Sequence, residues 1–288
     1  MKLTTDIRCE NIPVSFTLDD HICVIGSCFA DAMGQRLAAA GFQVLDNPFG
    51  TLYNPASVAA AVERLDSAAP FMPEECVEMG AGAGRVCSFA HHTRFAWPTA
   101  EEFLAGANES LAADAAAWSA CNKVIVTLGS AWVWRALELP GQPVVANCLK
   151  RPAREFAREL LSVDACAAHL RAMVDDHPEK QFLFTVSPIR HLGSDAHENT
   201  LSKATLHLAI QQVLLSSPPR AAYFPAYEIL LDELRDYRFY AEDLVHPSPT
   251  AVQIIWERFL DACVPAAQHA RIRENEKAAR AAHHRPIL

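Results

Sequence analysis

A chain of 288 residues with 51% hydrophobic and 20% charged side chains carries ample apolar surface for a packed core, which excludes wholesale disorder. The formal net charge is −9, so no general attraction draws this surface to a polyanion or an anionic bilayer, and neither nucleic acid nor membrane is an expected partner. Apolar runs such as 124–128 and 182–186 are strand-length, far short of the roughly 20 residues that span a bilayer. The first fourteen residues contain Asp6, Arg8 and Glu10 and no uninterrupted apolar core, so no export signal is expected. Nine cysteines, odd in number and scattered, read as reduced thiols of a cytoplasmic protein.

In chain order, residues 22–25 predict a first strand and 30–40 a helix closed by Gly41, whose missing Cβ suits a left-handed cap. Residues 43–45 predict a second strand, Asn47-Pro48-Phe49-Gly50 a turn, and 55–65 a helix opened by Pro55. Residues 75–97 predict a hairpin insertion around the glycine-rich tip 80–84. A helix over 100–118, a strand over 123–128 and a turn at Gly129-Ser130 follow. Residues 152–176 read as helical, 181–186 as a strand, 198–215 as a helix and 222–224 as a weaker strand. Residues 227–234 read as a helix, 235–245 as a loop, and 249–263 as a helix with Val252, Ile255 and Phe259 on its apolar face. Short apolar strands alternating with amphipathic helices predict one α/β domain, residues 1–265, built as a three-layer α/β/α sandwich with a mainly parallel central sheet. The charged tail, 266–288, is expected outside the core.

In such sheets ligands bind beyond the carboxyl ends of the strands, so the residues just after each strand are the informative ones. They are Gly26-Ser27-Cys28-Phe29-Ala30, Asn47-Pro48-Phe49-Gly50-Thr51, Gly129-Ser130-Ala131-Trp132, and, before the last helix, Asp243-Leu244-Val245-His246-Pro247. With the 127–134 run, Val145-Ala146-Asn147-Cys148, the 185–191 run, and Ala196-His197-Glu198-Asn199 leading to Ser202-Lys203-Ala204, the chain resembles the GSCFA family, within the wider SGNH/GDSL hydrolase superfamily, over nearly its whole length. The resemblance implies a flavodoxin-like fold of SGNH type and a serine hydrolase whose nucleophile, orienting acid and base map onto Ser27, Asp243 and His246.

The residues support the same roles on physical grounds. A serine between a strand end and a helix start is exposed to the helix's N-terminal amides and positive potential. His246 can take its proton, and Asp243, three residues earlier, can hold the imidazole tautomer. Ser27 also suits a plain N-cap of the following helix. Cys28 is a rival nucleophile, since a thiolate beside a histidine is reactive, but a neighbour in such a turn is expected to point elsewhere, into the core. Where many superfamily members carry Gly-x-Asn, this chain has Gly129-Ser130-Ala131, so the oxyanion donors are sought in the backbone N–H of Ser27, that of Gly50, a hydroxyl or backbone N–H of Ser130, and the side chain of Asn47. Gly129, His92, Arg94, Arg190 and His191 are candidate substrate contacts. His91, His92 and His197 lack metal-ligand spacing, and no Gly-x-Gly-x-x-Gly fingerprint is present, so neither metal nor cofactor is expected. The expected activity is hydrolysis of an ester, the O-acyl (acetyl-like) group of a carbohydrate-like or other small molecule. The alternative is a non-hydrolytic or weakly active protein that keeps the pocket and binds a ligand.

Overall fold

The computed structural model describes residues 5–190, 195–217 and 219–283. The chain runs β1 (His21–Gly26), α1 (Cys28–Ala40), β2 (Gln43–Asp46) and α2 (Pro55–Ser67), then a hairpin of β3 (Val77–Glu78) and β4 (Val86–Cys87) before α3 (Ala100–Ala120) and β5 (Lys123–Leu128). An antiparallel excursion follows, β6 (Trp132–Ala136), β7 (Val144–Val145) and β8 (Phe156–Leu160), leading into α4 (Val163–Asp175), β9 (Gln181–Val186), α5 (Ala196–Ser216) and β10 (Ala221–Tyr223). A short turn α6 (Ala226–Glu228) widens into a π-helical stretch, Ile229–Leu234, and α7 (Pro249–Cys263) and α8 (His269–His283) close the chain.

Five strands form one sheet in the order β10-β9-β5-β1-β2, every neighbour parallel. Counting these strands alone, the order is 2-1-3-4-5, the flavodoxin-like winding that reverses direction between the first and third strands, here β1 and β5. Side-chain alternation builds the layers. On β1, Ile22 and Val24 join Phe29, Met33 and Leu37 of α1 and Ile255, Trp256 and Phe259 of α7 in one cluster. Cys23 and Ile25 face the other way, into a cluster with α2 (Val58, Val62), α3 (Phe103, Leu111), α4 (Leu170) and α5 (Leu206, Ile210). β5 and β9 divide likewise, Ile125 and Leu183 on the first face, Val124, Val126, Phe182 and Phe184 on the second. A fully buried aliphatic or phenyl side chain contributes about 1.5–3 kcal/mol, so both faces of the sheet are held and the three-layer sandwich follows.

The structure departs from the sequence reading in several places, and β6 and β7 fall where it assigned no element. The stretch read as one helix over 152–176 contains the strand β8, which pairs with β6; Ser162 then caps α4 by accepting from the Ala165 N–H, so the helix begins only after it. The first helix starts at Cys28, two residues earlier than read, because Ser27 is its N-cap. Residues 227–234 are mostly π-helical and end at Arg235, at φ 42°. The charged tail, expected outside the core, instead forms α8 over much of its length: Ile272 is fully buried, Asn275 donates to the Ala40 carbonyl at the end of α1 at 2.8 Å, and Glu276 accepts from the Trp256 indole at 2.7 Å. No helix among the described residues is long and apolar enough to cross a membrane.

Candidate active site

β1 leaves the sheet at Gly26, whose φ of +138° and close approach to β5 permit no side chain: a Cβ there would sit 2.1 Å from the Thr127 carbonyl oxygen. That approach fixes Ser27. Its N–H donates to the Thr127 carbonyl at 2.9 Å, its hydroxyl lies 3.0 Å from the Thr127 hydroxyl, and it accepts from the Phe29 N–H at 3.3 Å. Ser27 is fully buried. A serine in this position holds its side chain on an amide of the helix's first turn and on β5.

The next residue is the first of α1, and its half-buried side chain turns to the loop before α7. Cys28 Sγ stands 3.5 Å from His246 Nε2, and His246 Nδ1 stands 2.6 Å from Asp243 Oδ2. The expected pairing of His246 with Ser27 is therefore corrected by one residue: capping holds Ser27 inward, and the helix start presents Cys28 outward. Asp243 and His246 share a single tight turn, in which Asp243 Oδ1 accepts from the N–H of Val245 and of His246, each at 2.9 Å. Those amides, with the imidazole, pull the Asp243 carboxyl down to about 2, so it is ionised at any physiological pH. Accepting the Nδ1 proton, it leaves Nε2 as the imidazole's acceptor, facing the thiol. The loop is anchored by the Arg190 N–H on the Val245 carbonyl at 3.2 Å and by the Ala241 N–H on the His246 carbonyl at 2.8 Å. His246 and Asp243 side chains are 46% and 50% exposed, so the catalytic edge is open to solvent. Burial pushes the Cys28 thiol up to about 11 against the pull of its own backbone N–H.

The four sequence candidates for oxyanion donors are all engaged elsewhere. The Ser27 N–H is on Thr127, and the Gly50 N–H is on the Asn47 carbonyl at 2.7 Å. Ser130 gives its N–H to the Tyr53 carbonyl, and its hydroxyl accepts from the Trp132 N–H. Asn47 accepts from the Gly26 N–H at 2.8 Å and donates to Asp31 at 2.6 Å. The N–H of Cys28 has no hydrogen-bond acceptor among the described residues and lies at the positive end of α1.

Of the candidate substrate contacts, Gly129 donates its N–H to the Tyr53 carbonyl and its carbonyl accepts from Lys203. His92 and Arg94 lean over Gly50, where φ is +78° and a Cβ would lie 2.5 Å from His92 Cβ. Arg94 donates to the Asn47 carbonyl at 3.1 Å and lies 3.8 Å from Asp31, one helical turn beyond Cys28. These residues form a polar rim beside the thiol. Arg190 contributes through its backbone, and His191 lies outside the described residues. A separate cavity of about 350 Å³, bounded by Phe49, Ser57, Phe89 and Val144, has neither Cys28 nor His246 in its lining.

His91 is a core residue. It packs against Phe49, Phe71, Phe95 and Phe103, its Nδ1 lies 2.7 Å from the Ser88 hydroxyl, and burial, aided by Arg64, pushes it down to about 4. Its folded value lies below the unfolded 6.5, so its contribution is fully present above pH 6.5 and is lost as pH falls through 4. The span corresponds to about 3 kcal/mol. Tm is expected to fall between pH 6.5 and 4, and the slope in this window to be shallower in His91→Gln; identical slopes in calorimetry would refute this. Among the described residues no group of three or more His, Cys, Asp or Glu side chains could hold a metal ion.

The sequence reading gave no role to Thr127, Asp31 or Lys203. The signal for Lys203 was its place on the buried stripe of α5, with Asn199, Ser202, Leu206, Ala209, Ile210 and Val213, where a lysine is out of pattern.

In comparisons with known proteins, the model of the GSCFA family matches residues 21–259. No curated protein and no solved structure matches the chain.

Proposed function

The chain belongs to the GSCFA family, and from that premise we propose that it is an acyl-ester hydrolase of SGNH type in which Cys28, not Ser27, is the nucleophile. The observation that carries this reading is the 3.5 Å approach of Cys28 Sγ to His246 Nε2 while the Ser27 hydroxyl rests on Thr127. With the thiol held neutral by burial, His246 takes the proton as sulfur attacks the ester carbonyl, and Asp243 stabilises the imidazolium that forms. The tetrahedral oxyanion is met by the Cys28 N–H. Collapse expels the alcohol, which receives the proton from His246, and leaves a thioester on Cys28. Water, deprotonated by His246, then attacks the thioester, and the carboxylic acid departs as the thiol is restored.

The open edge and the polar rim of Arg94 and Asp31 suit a small acyl group on a hydroxyl-rich alcohol, so the substrate class is an O-acyl, acetyl-like ester of a carbohydrate-like or other small molecule. The test is a screen of acetylated sugars, short aryl esters and thioesters with wild type and Cys28→Ala. Turnover by wild type alone, with an acyl adduct mapped to Cys28, supports the reading; equal turnover by Cys28→Ala overturns it. The second reading, a ligand-binding protein without turnover, is favoured by one observation, the engagement of all four expected oxyanion donors. It predicts no turnover of any ester, together with ligand protection of Cys28 from alkylation.

A further inference from the structure

We infer that Lys203 is an electrostatic positioning residue of the thiol site, its buried ammonium favouring negative charge on Cys28 sulfur; this rests on the reading of Cys28 as nucleophile. Lys203 is 2% exposed. Its Nζ donates to the Gly129 carbonyl at 2.7 Å and the Ser187 carbonyl at 2.9 Å. Those residues immediately follow β5 and β9, so the ammonium lies at the carboxyl edge of the sheet, the edge from which β1 delivers Cys28. The strands are in register there, Gly26 beside Thr127 and Thr127 beside Thr185.

A buried cation is costly to keep without a counter-ion. The described residues include every Asp and Glu of the chain, yet none of these carboxylates makes an ion pair with Lys203. Its neighbours are carbonyl dipoles and the ring of Tyr227, 5.7 Å from Nζ. Two carbonyls need only a neutral donor, so a structural clamp does not call for a charge. A partner that becomes negative during turnover does. Cys28 is that partner: each group favours the charged form of the other. Burial pushes Lys203 down to about 7 even with Cys28 pulling it up, so the resting site holds a thiol and an amine close to losing its charge, and charge on sulfur favours the ammonium.

The other groups facing the pair are fixed by the surrounding elements. Around Cys28 stand His246, Asp31 and Tyr53. Around Lys203 stand Tyr227 and His207, the latter 3.7 Å from Glu228. All are unchanged in the variants that follow.

The first experiment measures iodoacetamide alkylation of Cys28 in the full chain from pH 6 to 11, with Lys203→Met, which keeps the stem and removes the charge. Below pH 7, where Lys203 keeps its charge, the alkylation rate is expected to fall about tenfold in the variant, the two rates converging at higher pH, and kcat to fall at least tenfold with KM little changed. An unchanged rate below pH 7 in a folded variant overturns the inference. The second measurement needs no Lys203 variant: the lysine titration is followed by NMR with 13C at Cε in Cys28→Asp and Cys28→Ser. The Lys203 ammonium is expected to persist to higher pH in Cys28→Asp, and coincident titrations overturn the inference even where Lys203→Met fails to fold. Neither measurement requires turnover, so an inactive Cys28 with both effects present would defeat the proposed reaction and leave the charge coupling standing.

Discussion

Cys28→Ala is expected to lower ester turnover at least about 10⁴-fold in a protein of wild-type stability, the scale seen when a nucleophile is removed from a working triad. Ser27→Ala is expected to do the reverse. Losing the N-cap costs about 0.5–2 kcal/mol, while the Thr127 hydroxyl keeps the backbone N–H of residue 27 as a partner and the thiol and His246 stay in place. Chemical denaturation should therefore show Ser27→Ala destabilised by about 0.5–2 kcal/mol, with kcat/KM within about tenfold of wild type. Cys28→Ser keeps a hydroxyl facing His246 and should retain a residue of activity. The opposite pattern, an inactive Ser27→Ala beside an active Cys28→Ala, would return the nucleophile to Ser27.

His246→Ala carries the second large effect. Removing a general base lowers turnover by about 10²–10⁴-fold, and the pH profile should change shape as well as height. Without the imidazole, attack must wait for thiolate formed in water. Burial holds the Cys28 thiol up at about 11, so the ionised fraction grows about tenfold per pH unit below that value. Activity of His246→Ala should climb steadily with pH through 9 and 10, following that ionised fraction. Asp243→Asn should share much of the loss while remaining folded, because its side-chain oxygen still accepts from the Val245 and His246 amides. A His246→Ala enzyme with the wild-type profile would end the proposal that this imidazole moves the proton.

The sequence disclosed the sheet because each central strand is a run of β-branched or aromatic residues buried on both faces, and the strand exits followed from it. Asp243 and His246 were legible as a pair since three residues of spacing suffice for one turn. The residue facing His246 differs by one from the expected Ser27 for a physical reason: Ser27 fits both a cap and a nucleophile by composition, and only the position of the helix start decides which of Ser27 and Cys28 turns to the imidazole. Pro152 and Ala153 hid the strand β8, because alanine and arginine at 157–158 favour helix and only pairing with β6 overrides them. The oxyanion donors were illegible, since whether an amide is free depends on partners as distant as Thr127 is from Ser27. Lys203 was visible as an oddity on an apolar stripe, but its relation to Cys28 required the carboxyl edge of the sheet to be assembled.

The hairpin of β3 and β4 with its following segment meets the loop after β2 through the His92 N–H on the Phe49 carbonyl, the His91 ring against Phe49, the Arg94 guanidinium on the Asn47 carbonyl, and the close seat of His92 and Arg94 on Gly50. The five-stranded sheet supplies Cys28 and the loop before α7 supplies His246, and neither draws on this covering for its own hydrogen bonds. On the proposed mechanism, reactivity and selectivity thus sit on separable modules. Cys87, Ser88 and His91 belong to the core, so the part of this segment open to variation is its exposed tip, residues 81–85, and a library confined to it would vary the covering while Cys28, Asp243 and His246 keep their setting.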